Sequence, residues 1–309
     1  MPSSSLSFDE FPPPSPDAWK EKIQSDLGGA EPDAFLEWAS IDGVTLTPFL
    51  HRDDLDAVAH VSDDNAPPPL ADPSAPGNDW RIRQDLASPD PDTARDLAAA
   101  AVDGGATDLG LVLGPPDRRT LEEDALQSIV DAVPDDIALH LDRGPAAVLG
   151  ALVLLEKHDA APASIAYDPV AALATGALGD ATRAVDLSVN LLADTPATTR
   201  TLSVDLRPYH DAGASAVQTL AFGLGALSET LHQCTKRGAA LDALLPRLQF
   251  HAAVSTSYVV EIATLRALRL LVPQVIDAYA EKASADASVA PTDLFVQAET
   301  SRRTATVLD

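Results

Sequence analysis

Arg207, Tyr209, His210 and Asp211 bring a guanidinium, a phenol, an imidazole and a carboxylate together within five residues. The stretch follows Thr201-Leu202-Ser203-Val204-Asp205-Leu206, where apolar and polar residues alternate as in a strand with one buried face. A long helical pattern comes after it. Asp211 is expected to cap that helix by accepting hydrogen bonds from its free first-turn amides, and Ala212-Gly213-Ala214 to let the helix start pack closely on neighbouring backbone. A strand-to-helix junction of this kind is where α/β proteins place their chemistry.

Other reactive groups read as structural. Cys234 lies in mid-helix with no base near it in sequence and is expected to be a small apolar filler. His51, His60, His140, His158, His210, His232 and His251 are isolated in sequence, and each reads as solvated or singly hydrogen-bonded, so no metal-ligand set is expected. Gly223-x-Gly225 has no strand before it, and Gly213-Ala-Ser215 lacks the last glycine of a nucleophile elbow. Asp63-Asp64 and Asp135-Asp136 read as exposed turn charges, and Arg302-Arg303 as a solvated pair. Cofactor-free lyase or isomerase chemistry therefore lacks an acid/base pair.

The composition, 309 residues with 46% hydrophobic content, suffices for one sizeable α/β domain. A net charge of −26 repels nucleic-acid backbones and anionic membranes, so neither is an expected partner. The acidic residues are scattered, which suits a solvated surface in high salt. One cysteine precludes an intrachain disulfide, and no signal pattern or long apolar run appears, which predicts a soluble cytoplasmic protein.

Residues 1–61 read as an N-terminal arm, with a short helix from Asp17 to Leu27 and an Asp42-Gly43 turn into an extended piece. Residues 62–79, with Pro67-Pro68-Pro69, read as an exposed linker. From residue 80 strand and helix signals alternate. Strands are expected near Asp108–Leu113, Ile137–Leu141, Ser164–Tyr167, Leu202–Leu206, Leu248–Val254 and Leu294–Ala298, with a helix at Asp92–Asp103, and the alternation implies a parallel sheet. Val217, Leu220, Ala221, Leu224, Leu227 and Leu231 form one buried helical stripe ending near a Gly238 cap. Leu265, Leu268, Val272, Val275 and Tyr279 form a second, which Pro273 is expected to kink or end.

Four stretches, in this order, resemble methylmalonyl-CoA mutase. Trp80-Arg81-Ile82-Arg83-Gln84 is similar to that family's Trp-x-Ile-Arg-Gln approach to its first strand, and Asp211-Ala212-Gly213-Ala214 to its Asp-Ala-Gly-Ala junction. Glu261-Ile262-Ala263-Thr264-Leu265-Arg266-Ala267-Leu268-Arg269 is similar to its Glu-[Ile/Val]-Ala-Lys-Leu-Arg-Ala-x-Arg helix. Ala298-Glu299-Thr300-Ser301 resembles the end of its sixth strand, particularly in small subunits. The resemblance implies a TIM-type (β/α) barrel over 80–309 with an extended N-terminal arm that lies on a partner or folds back on its own barrel. Only six of the eight strands are legible. An open barrel would expose two edges and much apolar lining, so the chain is expected to be a fragment cut near Val307-Leu308-Asp309, or to be completed by another chain.

Catalytic members of the family resemble one another in three features that this chain lacks. The Asp-x-His motif of the cobalamin domain does not occur. The tyrosine after Trp-x-Ile-Arg-Gln is replaced by Asp85, and the Tyr-His pair that serves the substrate carbonyl falls on Arg207 and Pro208. Tyr209 and His210 lie two residues later, which in an extended chain keeps their facing and displaces them along the strand by about 6 to 7 Å. Tyr209, His210 and Gln84 are therefore expected to form at most a residual substrate pocket. The implied role is that of a small, non-catalytic subunit in a heterodimer whose large subunit binds adenosylcobalamin and interconverts methylmalonyl-CoA and succinyl-CoA by a radical shift. The alternative is a working acyl-CoA mutase barrel served by a separate cobalamin-binding polypeptide, which requires an open barrel axis.

Overall fold

The computed structural model describes residues 14–32, 36–47, 50, 54, 58, 80–86, 91–112, 130, 133–134, 137–142, 144–145, 147–148, 150–151, 163–283, 288–289 and 294–304. The proline-rich segment 62–79, Asp63-Asp64, Asp135-Asp136, His51, His60, His158 and Val307-Leu308-Asp309 lie outside them. The chain divides into two units, Met1–Asn65 and Ala66–Asp309.

In the first unit, helix α1 (Pro16–Asp26) starts at Ser15, whose hydroxyl accepts from the Ala18 amide at 3.2 Å. Two short strands, β1 (Trp38–Ala39) and β2 (Thr45–Leu46), pair antiparallel. The turn between them is the expected Asp42-Gly43, with Gly43 at φ 77°, where only glycine is unstrained.

The second unit is mixed α/β with parallel sheets. Strand β3 (Arg83–Leu86) leads through helix α2 (Pro91–Asp103) to β4 (Asp108–Val112), β5 (Ala138–Asp142) and β6 (Ser164–Ile165). These four pair in sequence order, all parallel. Helices α3 (Pro169–Ala174) and α4 (Ala181–Asp194) precede β7 (Leu202–Asp205), which is followed by α5 (Arg207–Asp211), α6 (Ala216–Lys236) and α7 (Leu241–Leu244). Strand β8 (Leu248–Val254), helix α8 (Tyr258–Ala283) and strand β9 (Phe295–Thr300) complete the order, and β7, β8 and β9 form a second parallel sheet. The Ile165 amide donates to Arg200 O at 2.8 Å and the Arg200 amide to Ala163 O at 3.0 Å, which joins β6 to the chain entering β7. Beside the six expected strands there is thus β3, at the motif that resembles the family's approach to its first strand.

Successive strand residues face opposite ways, and here the apolar ones lie under the helices. Leu109, Leu111, Leu141 and Ile165 pack with Ala94 and Ala98 of α2. Leu202, Val204 and Phe250 pack with Leu220, Leu227 and Leu231 of α6 and with Leu268, Val272 and Ile276 of α8. Each such buried side chain contributes about 1.5–3 kcal/mol. The other face carries Asp108, His140, Asp142, Ser203, Asp205, Gln249 and His251, so the apolar lining expected of an open barrel is polar instead.

Several local expectations are corrected. Residues 207–211 form a helical turn, so Tyr209 and His210 are not on an extended chain, and positions two apart diverge in direction. The cap of α6 is Ser215, in a capping box with Gln218, while Asp211 ends α5. Gly213 has φ 101° and open space where a Cβ would stand; the close approach is at Gly223, whose Cβ would strike Leu206. Val217 of the predicted stripe is 56% exposed, and Ala221 is exposed. Helix α8 runs on through Pro273 to Ala283, so of the two expectations, a kink or an end, the end does not hold. Gly238, at φ 92° just beyond α6, fits the expected C-terminal cap.

Candidate functional site

The polar faces of the two sheets meet, and their side chains form two tiers. In the first tier His140 lies 2.6 Å from Asp108 Oδ1 and 2.7 Å from Ser164 Oγ. The carboxylate only accepts, so Nε2–H donates to Asp108 and Nδ1 accepts from the serine hydroxyl. Gln249 Nε2 donates to Ser203 Oγ at 2.8 Å and to Ile165 O at 3.0 Å. Burial pushes the Asp108 carboxyl up, but bonds from His140, Thr107 and Arg81 outweigh it and hold it down at about 2. Burial is also the main cause that keeps His140 below its ordinary value.

The second tier, at the carboxyl ends of the strands, is an ion network. Arg207 donates to both oxygens of Asp142, at 2.9 and 3.0 Å, and to both oxygens of Asp205, each at 2.8 Å. It also reaches Glu299 Oε2 at 2.9 Å. Arg83 donates to Asp85 Oδ1 at 2.7 Å, to Asp142 Oδ2 at 2.8 Å and to Gln297 Oε1, which ties β3 to β9. Gly110 of β4 faces this tier because a Cβ there would collide with the Asp85 and Arg83 side chains. Burial alone would raise the Asp142 carboxyl, yet the Arg207 hydrogen bonds and charge hold it far below the usual carboxylate range. Arg207 is correspondingly raised, its burial outweighed by Asp205 and Asp142.

His251 completes the tier from β8, in register with Asp205 and Gln297. It is wholly buried, and neither ring nitrogen has a hydrogen-bond partner. Burial first, then the Arg207 charge, pushes its pKa down to about 4, so the ring is neutral at physiological pH.

The positions singled out in the sequence fall into two groups. Asp85 and Arg207 are brought together through Arg83 and Asp142. Pro208 stands in the first turn of α5, where a missing N–H costs nothing. Tyr209 packs on Phe222 with ring centres 5.4 Å apart, and burial and nearby Asp168 and Asp205 push its hydroxyl up to about 12. His210 Nε2 lies 2.8 Å from Ser301 Oγ. Gln84 is exposed and alternates away from Arg83 and Asp85, its amide donating to Asp85 O at 3.2 Å. Cys234 is buried, its thiol pushed up to about 11 by that burial, which suits a filler.

Asp142, Asp205, His251, Gln297 and Glu299 were missed because they lie on four strands far apart in sequence. A signal was present: His140-x-Asp142, Ser203-x-Asp205, Gln249-x-His251 and Gln297-x-Glu299 repeat polar residues at the strand period of two.

Of the described histidines, His140 is engaged on both ring nitrogens, His210 Nε2 lies against Ser301, His251 has no exposed surface and His232 is exposed on α6. Among the described residues, no helix is long and apolar enough to cross a membrane.

Comparison with known proteins finds the same likeness. The family pattern described as methylmalonyl-CoA mutase matches residues 172–309. A protein of Porphyromonas gingivalis named methylmalonyl-CoA mutase small subunit is 27% identical over 89% of this chain and 46% of its own length. One of the same name from Streptomyces virginiae is 29% identical over 88% of this chain and 46% of its own. A methylmalonyl-CoA mutase of Cereibacter sphaeroides is 22% identical over 86% of this chain and 42% of its own. The chain thus spans less than half the length of these relatives. It is similar to proteins named methylmalonyl-CoA mutase small subunit, and the methylmalonyl-CoA mutase pattern matches it over residues 172–309.

Proposed function

We propose that this chain is the barrel portion of the small, non-catalytic subunit of a cytoplasmic methylmalonyl-CoA mutase, and that it stabilises a large subunit which binds adenosylcobalamin and carries out the isomerisation. In this reading residues 1–61 are a partner-contacting arm, 62–79 a linker and 80–309 a partial (β/α) barrel. The barrel reading is supported by the join between β6 and β7 and by the Arg83–Gln297 bond between β3 and β9.

The observation that carries the functional reading is the ion network centred on Asp142 and Arg207. It occupies the space between the strands' carboxyl ends, where a substrate lying on the axis would have to pass. Displacing Arg207 would take from the buried Asp142 the guanidinium that bonds both its oxygens, at about 3–5 kcal/mol. Asp85 lies in the same network in place of the aromatic residue that resemblance to catalytic subunits calls for. The residues of this chain therefore bind one another and hold the barrel shut.

Calorimetric titration of methylmalonyl-CoA into the chain, alone and with its large subunit, tests this. No heat of binding alone, together with a stable complex, is the expected result. Binding by the isolated chain, or turnover with adenosylcobalamin and no partner, sinks the reading in favour of a catalytic barrel.

A further inference from the structure

Among the described residues, the second tier gathers four carboxylates and two guanidinium groups. Asp85, Asp142, Asp205 and Glu299 stand against Arg83 and Arg207, and the least sheltered of the six, Asp85, has a side chain only 32% exposed. Withdrawing charge from water is expensive, so carboxylates gathered at such depth favour a further positive charge among them.

The geometry offers it a place. Carboxylate oxygens of Asp85, Asp142 and Glu299, from β3, β5 and β9, all lie within 4.8 Å of one another. Oxygens on opposite sides of a cation with bonds of about 2.0–2.4 Å are separated by about 4–5 Å, so the three can share one ion. A second observation stands apart from these acids. His251 is fully buried among the same charges, in register with Asp205 and Gln297, and both its ring nitrogens lack a partner. A neutral imidazole has a lone pair that wants a donor, and water bound to a cation supplies one.

We propose that Asp85, Asp142 and Glu299 form a site for one divalent, oxygen-preferring cation of the magnesium or manganese class, with His251 accepting a hydrogen bond from a water of its shell. All three ligands are carboxylates, and the chain's one cysteine lies in α6, which points to a hard ion. The cation takes over the bridging of Asp85 and Asp142 now made by Arg83, while Arg207 keeps Asp205 and one oxygen of Asp142. The site does not depend on whether the chain is catalytic.

Manganese alone is the probe, with free ion counted by its paramagnetic resonance in the presence of the full chain. A surface of net charge −26 gathers cations diffusely, so the titration is run in low and in high salt, where diffuse attraction is screened. The expected result is one saturable equivalent that survives high salt and raises the unfolding temperature. Glu299→Gln should weaken it about tenfold or more, and so should Asp85→Asn at the most exposed ligand, which keeps the test usable if either variant folds poorly. Glu229→Gln, on the outer face of α6, should leave it unchanged. Binding that vanishes in high salt, or that is the same in wild type and in a folded Glu299→Gln or Asp85→Asn variant, overturns the proposal and leaves only diffuse counterions.

Discussion

At Arg207 one side chain satisfies three carboxylates drawn from three strands, and the cost of losing it follows from what it leaves behind. Arg207→Met should destabilise the chain by about 3–5 kcal/mol, because Asp142 would keep only the Arg83 contact in a buried place. Urea unfolding measures this, and a loss below about 1 kcal/mol would show that the network is slack. Asp108 gives a prediction with a pH window. Its carboxyl is held down at about 2 in the folded protein against 3.8 ordinarily, so its stabilising effect is present above pH 3.8 and is lost as pH falls towards 2. That difference is worth about 2 kcal/mol. Asp108→Asn should therefore flatten the acid side of the stability curve, and parallel curves for variant and wild type would remove the idea. The sequence showed Asp85 and Arg207 as departures from a family pattern but not as neighbours. Sequence separation hides a contact between strands, and what was legible was only that polar residues recur every second position.

Elements were easier to read than contacts, because period and punctuation are local. Helix α2, the Gly238 cap and the Asp42-Gly43 turn stand where their residues put them. The junction after β7 was misread for a physical reason: Pro208 is as acceptable in a helix's first turn as in an extended chain, so nothing local announced α5. Pro273 does not end α8, since Val272 and Ile276 on either side are fully buried and tertiary packing keeps the helix going. Two substitutions test the corrected picture of α6. Ser215→Ala removes the hydroxyl that accepts from the Gln218 amide at 3.2 Å, and should cost about 1 kcal/mol. Gly223→Ala forces a methyl onto Leu206 and should cost about 1–3 kcal/mol, by overpacking rather than by backbone strain. If Gly223→Ala proves neutral in denaturant unfolding, the contact between α6 and β7 is looser than the structure has it.

On the scale of the whole chain the dominant quantity is charge. With 47 acidic residues against 21 basic, repulsion acts through solvent across the surface, and salt screens it over a Debye length that shrinks from about 30 Å at 0.01 M to about 3 Å at 1 M. The buried ion network responds differently, because Asp142 and Arg207 are bonded to each other with little solvent between them. Two salt responses should therefore separate in one experiment. The unfolding temperature of the wild-type chain should climb by several degrees between low and high potassium chloride, since each 1 kcal/mol of relieved repulsion shifts a chain of this size by about 2–4 °C. The penalty of Arg207→Met, measured at both salts, should stay constant. A flat or falling unfolding temperature would mean that the acidic surface is no burden to the fold, and the suggestion of a salt-adapted protein would go with it. A penalty that shrinks in high salt would mean that water reaches the network, and a network open to water is one that a substrate could also enter.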